Sequence, residues 1–104
     1  GFDWPDRHGV RAKVEDELGE LEQAADAGDA AAVEEELGDL LFAVVNLARH
    51  IDVDAEQALA RANYKFERRF RAMEASLAAD GLDIRGMSLE NLEQRWQEAK
   101  KSCG

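Results

Sequence analysis

The stretch VEDELGELEQAADAGDAAAVEEELGDLLFAVVNLARHI, residues 14–51, contains nearly the same acidic motif twice. VEDELGEL covers residues 14–21 and VEEELGDL covers residues 33–40; six of eight positions are identical, and the other two exchange Asp and Glu. Apolar residues recur every three or four positions in both copies, which is typical of helices with one buried face. Gly28 and Asp29 lie between the copies and favour a helix end and a helix start. The stretch therefore predicts two antiparallel helices.

Working outward from this pair, the same signals predict four helices joined by short turns. The predicted helices cover about residues 10–27, 30–51 and 54–79, and a last segment that follows the cap Ser88. The single Pro and the abundant Ala, Glu, Leu and Arg also favour helix. We therefore predict an all-α fold, an antiparallel four-helix bundle built by one domain over residues 1–104. The opening FDWPD is interpreted as a hydrophobic lead into the first helix.

Composition limits the classes of partner. The 104 residues carry a formal net charge of −10, and such a surface repels nucleic acid backbones and anionic membranes. The longest unbroken apolar run, residues 40–45, is far shorter than the roughly 20 residues that span a bilayer. The single Cys103 offers no disulfide framework. We expect a cytoplasmic protein that binds neither nucleic acid nor membrane.

Each copy of the acidic motif places two carboxylates three residues apart on one helix face. Glu17 and Glu20 form the first pair, and Glu36 and Asp39 form the second. Both pairs border an apolar stripe, and their midpoints each lie about nine and a half residues, roughly 14 Å, from Gly28. An antiparallel hairpin therefore brings the four carboxylates to one level.

Crowded carboxylates favour a bound cation, because two of them ~5 Å apart repel by about 3 kcal/mol at an effective dielectric near 20. Ligands that are all oxygen select hard ions, so we predict Mg²⁺, with Mn²⁺ as a possible substitute. A di-iron centre uses Glu-x-x-His, and neither His8 nor His50 has a Glu three residues before it. The alternative is plain structural repetition, in which the acids are the solvated faces of two similar helices.

Basic residues offer a local exception to the negative charge. Lys65 and Arg69 lie four residues apart on the third helix, and Trp96 and Lys100 do the same on the last. Beside a metal such groups suit a polyphosphate, with the indole available to a nucleobase. The alternatives are an exposed basic face for the first pair and a packing role for Trp96, which also completes an apolar stripe.

Taken together, ExxE, ExxD and the segments EELGDLLFAVVNLARH, ANYKFERRF and WQEAK closely resemble the MazG family of nucleoside triphosphate pyrophosphohydrolases. The likeness is greatest to the C-terminal catalytic domain of two-domain MazG proteins. It implies an all-α homodimer that converts a nucleoside triphosphate and water into the monophosphate and pyrophosphate. Because the chain begins with Gly rather than Met, we expect it to be a fragment of a longer two-domain chain.

The resemblance also assigns roles to residues. The positions that match the family's magnesium ligands are Glu17, Glu20, Glu36 and Asp39. The positions that match basic and aromatic groups near the substrate are Lys13, Lys65, Arg69, Lys100 and Trp96. Either Glu36 or Glu20 is expected to take the proton of the water that attacks the α-phosphorus, while the metal, Lys65 and Arg69 stabilise the departing pyrophosphate.

Other functions remain open on the sequence alone. A dUTPase, a dCTP pyrophosphatase or a phosphoribosyl-ATP pyrophosphohydrolase can share the same acidic motif. A catalytically idle helical dimer that regulates a partner is a further alternative. Phe42 and Val45 give the second helix another apolar face, so this helix is expected either to be central in the fold or to meet a second subunit. The second possibility is the reason from the residues for expecting a dimer.

Overall fold

Every regular element is helical in the computed structural model, which describes residue 3 and residues 5–103. The elements are α1 (Arg7–Ala27), α2 (Ala30–His50), α3 (Ala55–Ala79), a short 3₁₀ helix (Ile84–Gly86) and α4 (Leu89–Cys103). The predicted all-α class is confirmed. Phe2 and Trp4, on which the interpretation of FDWPD depends, lie outside the described residues. The chain forms two compact units, residues 1–58 and residues 59–104.

The helix ends follow the predicted caps. Gly28 ends α1 in the left-handed region at φ 71°, where a residue without Cβ is favoured. Asp29, Asp54 and Ser88 each accept a hydrogen bond from the backbone N–H three residues later, so α2, α3 and α4 begin where expected. Helix α1 begins three residues earlier than predicted, because Asp6 accepts hydrogen bonds from two N–H groups of the first turn.

The first unit is a helical hairpin. Helices α1 and α2 pack against each other and are joined by only two residues, so they run antiparallel. Asp3 forms an ion pair with Arg49, and its Oδ1 lies 3.0 Å from Nε2 of His50. These contacts join Asp3 to the end of α2. Val10 of α1 and Ala43 of α2 are buried. The Asp3 contacts were not predicted from the sequence.

The second apolar face of α2 lies at the surface of the chain. Phe42 is 77% exposed, and Leu41 and Val45 are also exposed. Scattered exposed apolar residues are normal on a protein surface, whereas these three are large and lie close together along one helix.

The second unit is held by a small core between the end of α3 and α4. Met73 and Leu77 pack with Ala99, and Trp96 and Phe70 are partly buried against this cluster. The 3₁₀ segment contributes one further side chain to it. The C-terminal half of α3 is therefore the half that carries the core of this unit.

Candidate metal centre

The hairpin brings three of the predicted acids together. Glu17, Glu20 and Glu36 each present one carboxylate oxygen to a group whose atoms all lie within 4.8 Å of one another. Glu17 and Glu20 come from α1 and Glu36 comes from α2, as the equal arm lengths predict. Asp39 is exposed and lies outside this group, although its charge contributes to the raised pKa of Glu36.

Two oxygens of this cluster are buried without a hydrogen-bond partner among the described residues, Oε2 of Glu17 and Oε2 of Glu36. Glu17 is only 4% exposed. An unpaired buried carboxylate oxygen is costly, since it has lost water and gained no donor. A hard divalent cation would supply a partner to such oxygens, so the donor set of the cluster fits an ion of this class.

Lys13 already compensates part of the negative charge. Its Nζ lies 2.7 Å from Oε1 of Glu17, one helical turn away. The hydrogen bond and the charge of Lys13 together lower the pKa of Glu17, and the same contact raises the pKa of Lys13. Sequence reasoning did not find this pair, although the four-residue spacing from Lys13 to Glu17 is the signal that could have indicated it.

Glu36 has the opposite electrostatic environment. Its burial, followed by a hydrogen bond with Glu20 and the nearby charges of Glu20, Asp39 and Glu17, raises its pKa above the ordinary value. The causes of this shift, largest first, are therefore burial and neighbouring carboxylates. Glu36 therefore holds a proton more readily than an ordinary glutamate, whereas the pKa of Glu17 is lowered.

The other candidate residues belong to the second unit. Nε of Arg69 is buried and has no hydrogen-bond partner among the described residues, whereas Lys65 is exposed. The Trp96 ring lies 5.3 Å from the Phe66 ring in a tilted arrangement and also contacts the core, so the packing role considered for Trp96 is present. Lys100 is half-buried.

None of the described helices is both long enough and apolar enough to cross a bilayer.

The chain is similar to proteins of a known family. The model of the MazG nucleotide pyrophosphohydrolase domain matches residues 7–73, well over half of the chain. The chain is 47% identical over 100 residues to the nucleoside triphosphate pyrophosphohydrolase/pyrophosphatase MazG of Thermotoga maritima, covering 96% of this chain and 38% of the relative. It is 50% identical over 103 residues to the nucleoside triphosphate pyrophosphohydrolase of Escherichia coli K12, covering 97% of this chain and 39% of the relative. The chain thus spans about two fifths of the length of these curated relatives. The resemblance inferred from the sequence is confirmed, and the chain belongs to the MazG nucleotide pyrophosphohydrolase domain family.

Proposed function

We propose that this chain hydrolyses nucleoside triphosphates to the monophosphate and pyrophosphate, with a broad choice of base and with Mg²⁺ as cofactor. The observation that carries the proposal is the group of three carboxylates within 4.8 Å of one another, two of which have buried, unpartnered oxygens. Ordinary surface acids repel each other and point into solvent. This arrangement therefore differs from what is expected if the two acidic motifs were only the solvated faces of two similar helices. The activity named for the curated relatives supports the same reaction.

The residues proposed to hold the divalent ion are Glu17, Glu20, Glu36 and Asp39. Three of them converge in the hairpin, and Asp39 follows Glu36 by three residues on the same helix face. When bound, Mg²⁺ or Mn²⁺ polarises phosphate oxygens and lowers the pKa of coordinated water. The carboxylates themselves would fix the ligand positions, and their four negative charges would more than balance the two positive charges of the ion.

Glu36 is proposed as the general base, with Glu20 as its hydrogen-bond partner. A water oxygen forms a bond to the α-phosphorus, its proton passes to Glu36, and the bond from the α-phosphorus to the bridging oxygen breaks. The electron pair of that bond leaves with pyrophosphate. This role is supported by position: Glu36 presents a carboxylate oxygen to the group that it forms with Glu17 and Glu20, and one of its oxygens is buried without a partner among the described residues. A carboxylate held in place beside the attacking water can take its proton.

Basic side chains are proposed to bind the phosphates and stabilise the leaving pyrophosphate. This set is Lys13, Lys65, Arg69 and Lys100. The buried Nε of Arg69, which lacks a partner among the described residues, supports a ligand role for this guanidinium. Trp96 is proposed to contact the nucleobase with whatever ring surface its packing against Phe66 leaves free.

A pyrophosphate-release assay over the common NTPs and dNTPs tests this function. We expect release from several substrates with Mg²⁺ and none with EDTA, because the carboxylates repel a polyphosphate unless a cation lies between them. Release from one substrate alone would replace the broad activity with a narrow one such as a dUTPase. No release with either Mg²⁺ or Mn²⁺ would leave the idle regulatory dimer as the better reading.

A homodimer is part of the proposal. The exposed apolar face of α2, with Phe42 at its centre, needs an apolar partner, and the family resemblance offers a second copy. Light scattering at micromolar concentration should give twice the chain mass of 11.5 kDa, and Phe42→Asp should halve it by placing a charge on that face. A wild-type monomer would contradict the dimer while leaving the metal site untouched.

The cytoplasmic location and the assignment of residues 1–104 to one domain are also proposals. Both rest on the sequence, through its acidic charge, its single cysteine and its family resemblance.

A further inference from the structure

Lys13 holds one oxygen of a carboxylate that the proposed metal site also needs. Its ammonium lies 2.7 Å from Oε1 of Glu17, and Glu17 is almost fully buried. Glu17 belongs to the cluster whose three oxygens lie within 4.8 Å of one another. A divalent ion and an ammonium that share one carboxylate repel each other, and their repulsion is screened less beside the buried Glu17 than it would be between fully exposed charges. The two cations therefore compete for Glu17.

Lys13 is suited to be the cation that leaves. Its side chain is 46% exposed, and the flexible four-carbon stem lets the ammonium move into water. A lysine placed four residues before a glutamate is also the weaker order for a helical ion pair. Local helix preference therefore does not explain a bond of 2.7 Å, whereas the need of a buried carboxylate for a positive partner does.

Arg11 and Glu15 provide a comparison on the same helix. They have the same order and the same four-residue spacing, and their ion pair is 3.3 Å long. Both side chains are largely exposed, and neither belongs to the carboxylate cluster. The Lys13 pair therefore differs from the Arg11 pair in having a buried carboxylate that belongs to the cluster.

We infer that Lys13 is the built-in counter-ion of the carboxylate cluster, and that a divalent ion displaces its ammonium from Glu17. This inference rests on the proposed metal site. The displaced ammonium becomes available to an anionic group of the substrate. Lys13 thus pairs with Glu17 before the metal binds and with a phosphate afterwards. Metal binding and the release of this lysine therefore occur together. Lys13 does not bind the metal itself; it affects metal binding through the charge and position of Glu17.

Calorimetric titration with Mg²⁺ and with Mn²⁺ tests the exchange, at about pH 8 where carboxylates are ionised. Lys13→Gln should bind the ion about tenfold more tightly than wild type, because no charge-assisted hydrogen bond has to be broken. Arg11→Gln makes the same change of net charge on the same helix and should bind like wild type. Lys13→Arg keeps a competing cation and should lack the gain.

A second measurement uses the unaltered protein and does not depend on a variant that folds. In NMR spectra, Mg²⁺ should shift the Cε signal of Lys13 as its ammonium leaves Glu17, while that of the exposed Lys101 stays in place. Equal or weaker binding by Lys13→Gln, or an unmoved Lys13 signal in protein that binds Mg²⁺, would overturn the exchange alone. Wild-type protein that gives no heat with either ion would overturn the proposed metal site, and the exchange with it.

Discussion

Glu36→Gln should reduce pyrophosphate release by about a thousandfold or more while the fold is kept, since general-base catalysis alone contributes 10²–10⁴-fold. The substitution removes the proposed general base and one proposed metal ligand in a single step. The measurement is the initial rate of release at saturating Mg²⁺, with circular dichroism to confirm helix content. Glu35→Gln is the matched control, because Glu35 makes the same charge change from an exposed neighbouring position and should keep its activity. Near-normal turnover in Glu36→Gln would remove Glu36 from the site.

The same variant should be more stable than wild type when EDTA removes divalent ions. Burial and the carboxylates around it raise the pKa of Glu36, so this group stabilises the fold while protonated. That contribution is lost as the pH rises through the raised pKa. Gln cannot ionise, so the variant should melt at a higher temperature than wild type at about pH 8 and at a similar one in acid. A variant that melts below wild type at the higher pH would contradict this electrostatic account.

Leu77→Ala should lower the free energy of unfolding by about 2–5 kcal/mol, the usual cost of truncating a buried leucine. Leu77 is 2% exposed and lies in the cluster with Met73 and Ala99, where three neighbouring elements limit how far the cavity can close. Because a domain of this kind has only about 5–15 kcal/mol of net stability, the loss is large. Urea unfolding followed by circular dichroism measures it.

Leu89→Ala is the control for this loss. Leu89 is 82% exposed at the start of α4, so the same truncation should change stability by no more than about 0.5 kcal/mol. Equal losses in the two variants would mean that the cluster around Leu77 does not carry the stability of its unit.

Helix bounds and caps were predictable because their causes are local. Asp29, Asp54 and Ser88 bond to N–H groups three residues away, within reach of any sequence window. Burial was less predictable. The helical spacing places Leu59 and Phe66 on the same stripe as the buried Leu77, yet both are exposed. Periodicity identifies a helix face, but only the neighbouring elements decide which part of that face is covered.

In the candidate site, too, some features were predictable from the sequence and others were not. The meeting of Glu17 and Glu36 follows from a short turn and equal arms, which the sequence contains. The near-complete burial of Glu17 does not, because it depends on how tightly the two arms pack. The contact of Asp3 with Arg49 joins residues more than forty positions apart, and no local pattern predicts a partner at such a separation.

The two-residue connection between α1 and α2 divides this region into parts that tolerate changes of length and parts that do not. One residue inserted in α1 after Glu20 would rotate the preceding acids by about 100° and move them ~1.5 Å along the axis relative to α2. Residues added at Gly28 itself leave both arms in phase, and each doubling of such a loop costs only about 0.6 kcal/mol. Peptide tags and added residues are therefore best placed at the tip of the hairpin. The lengths of the two arms have to stay unchanged, because they set which acids lie opposite each other.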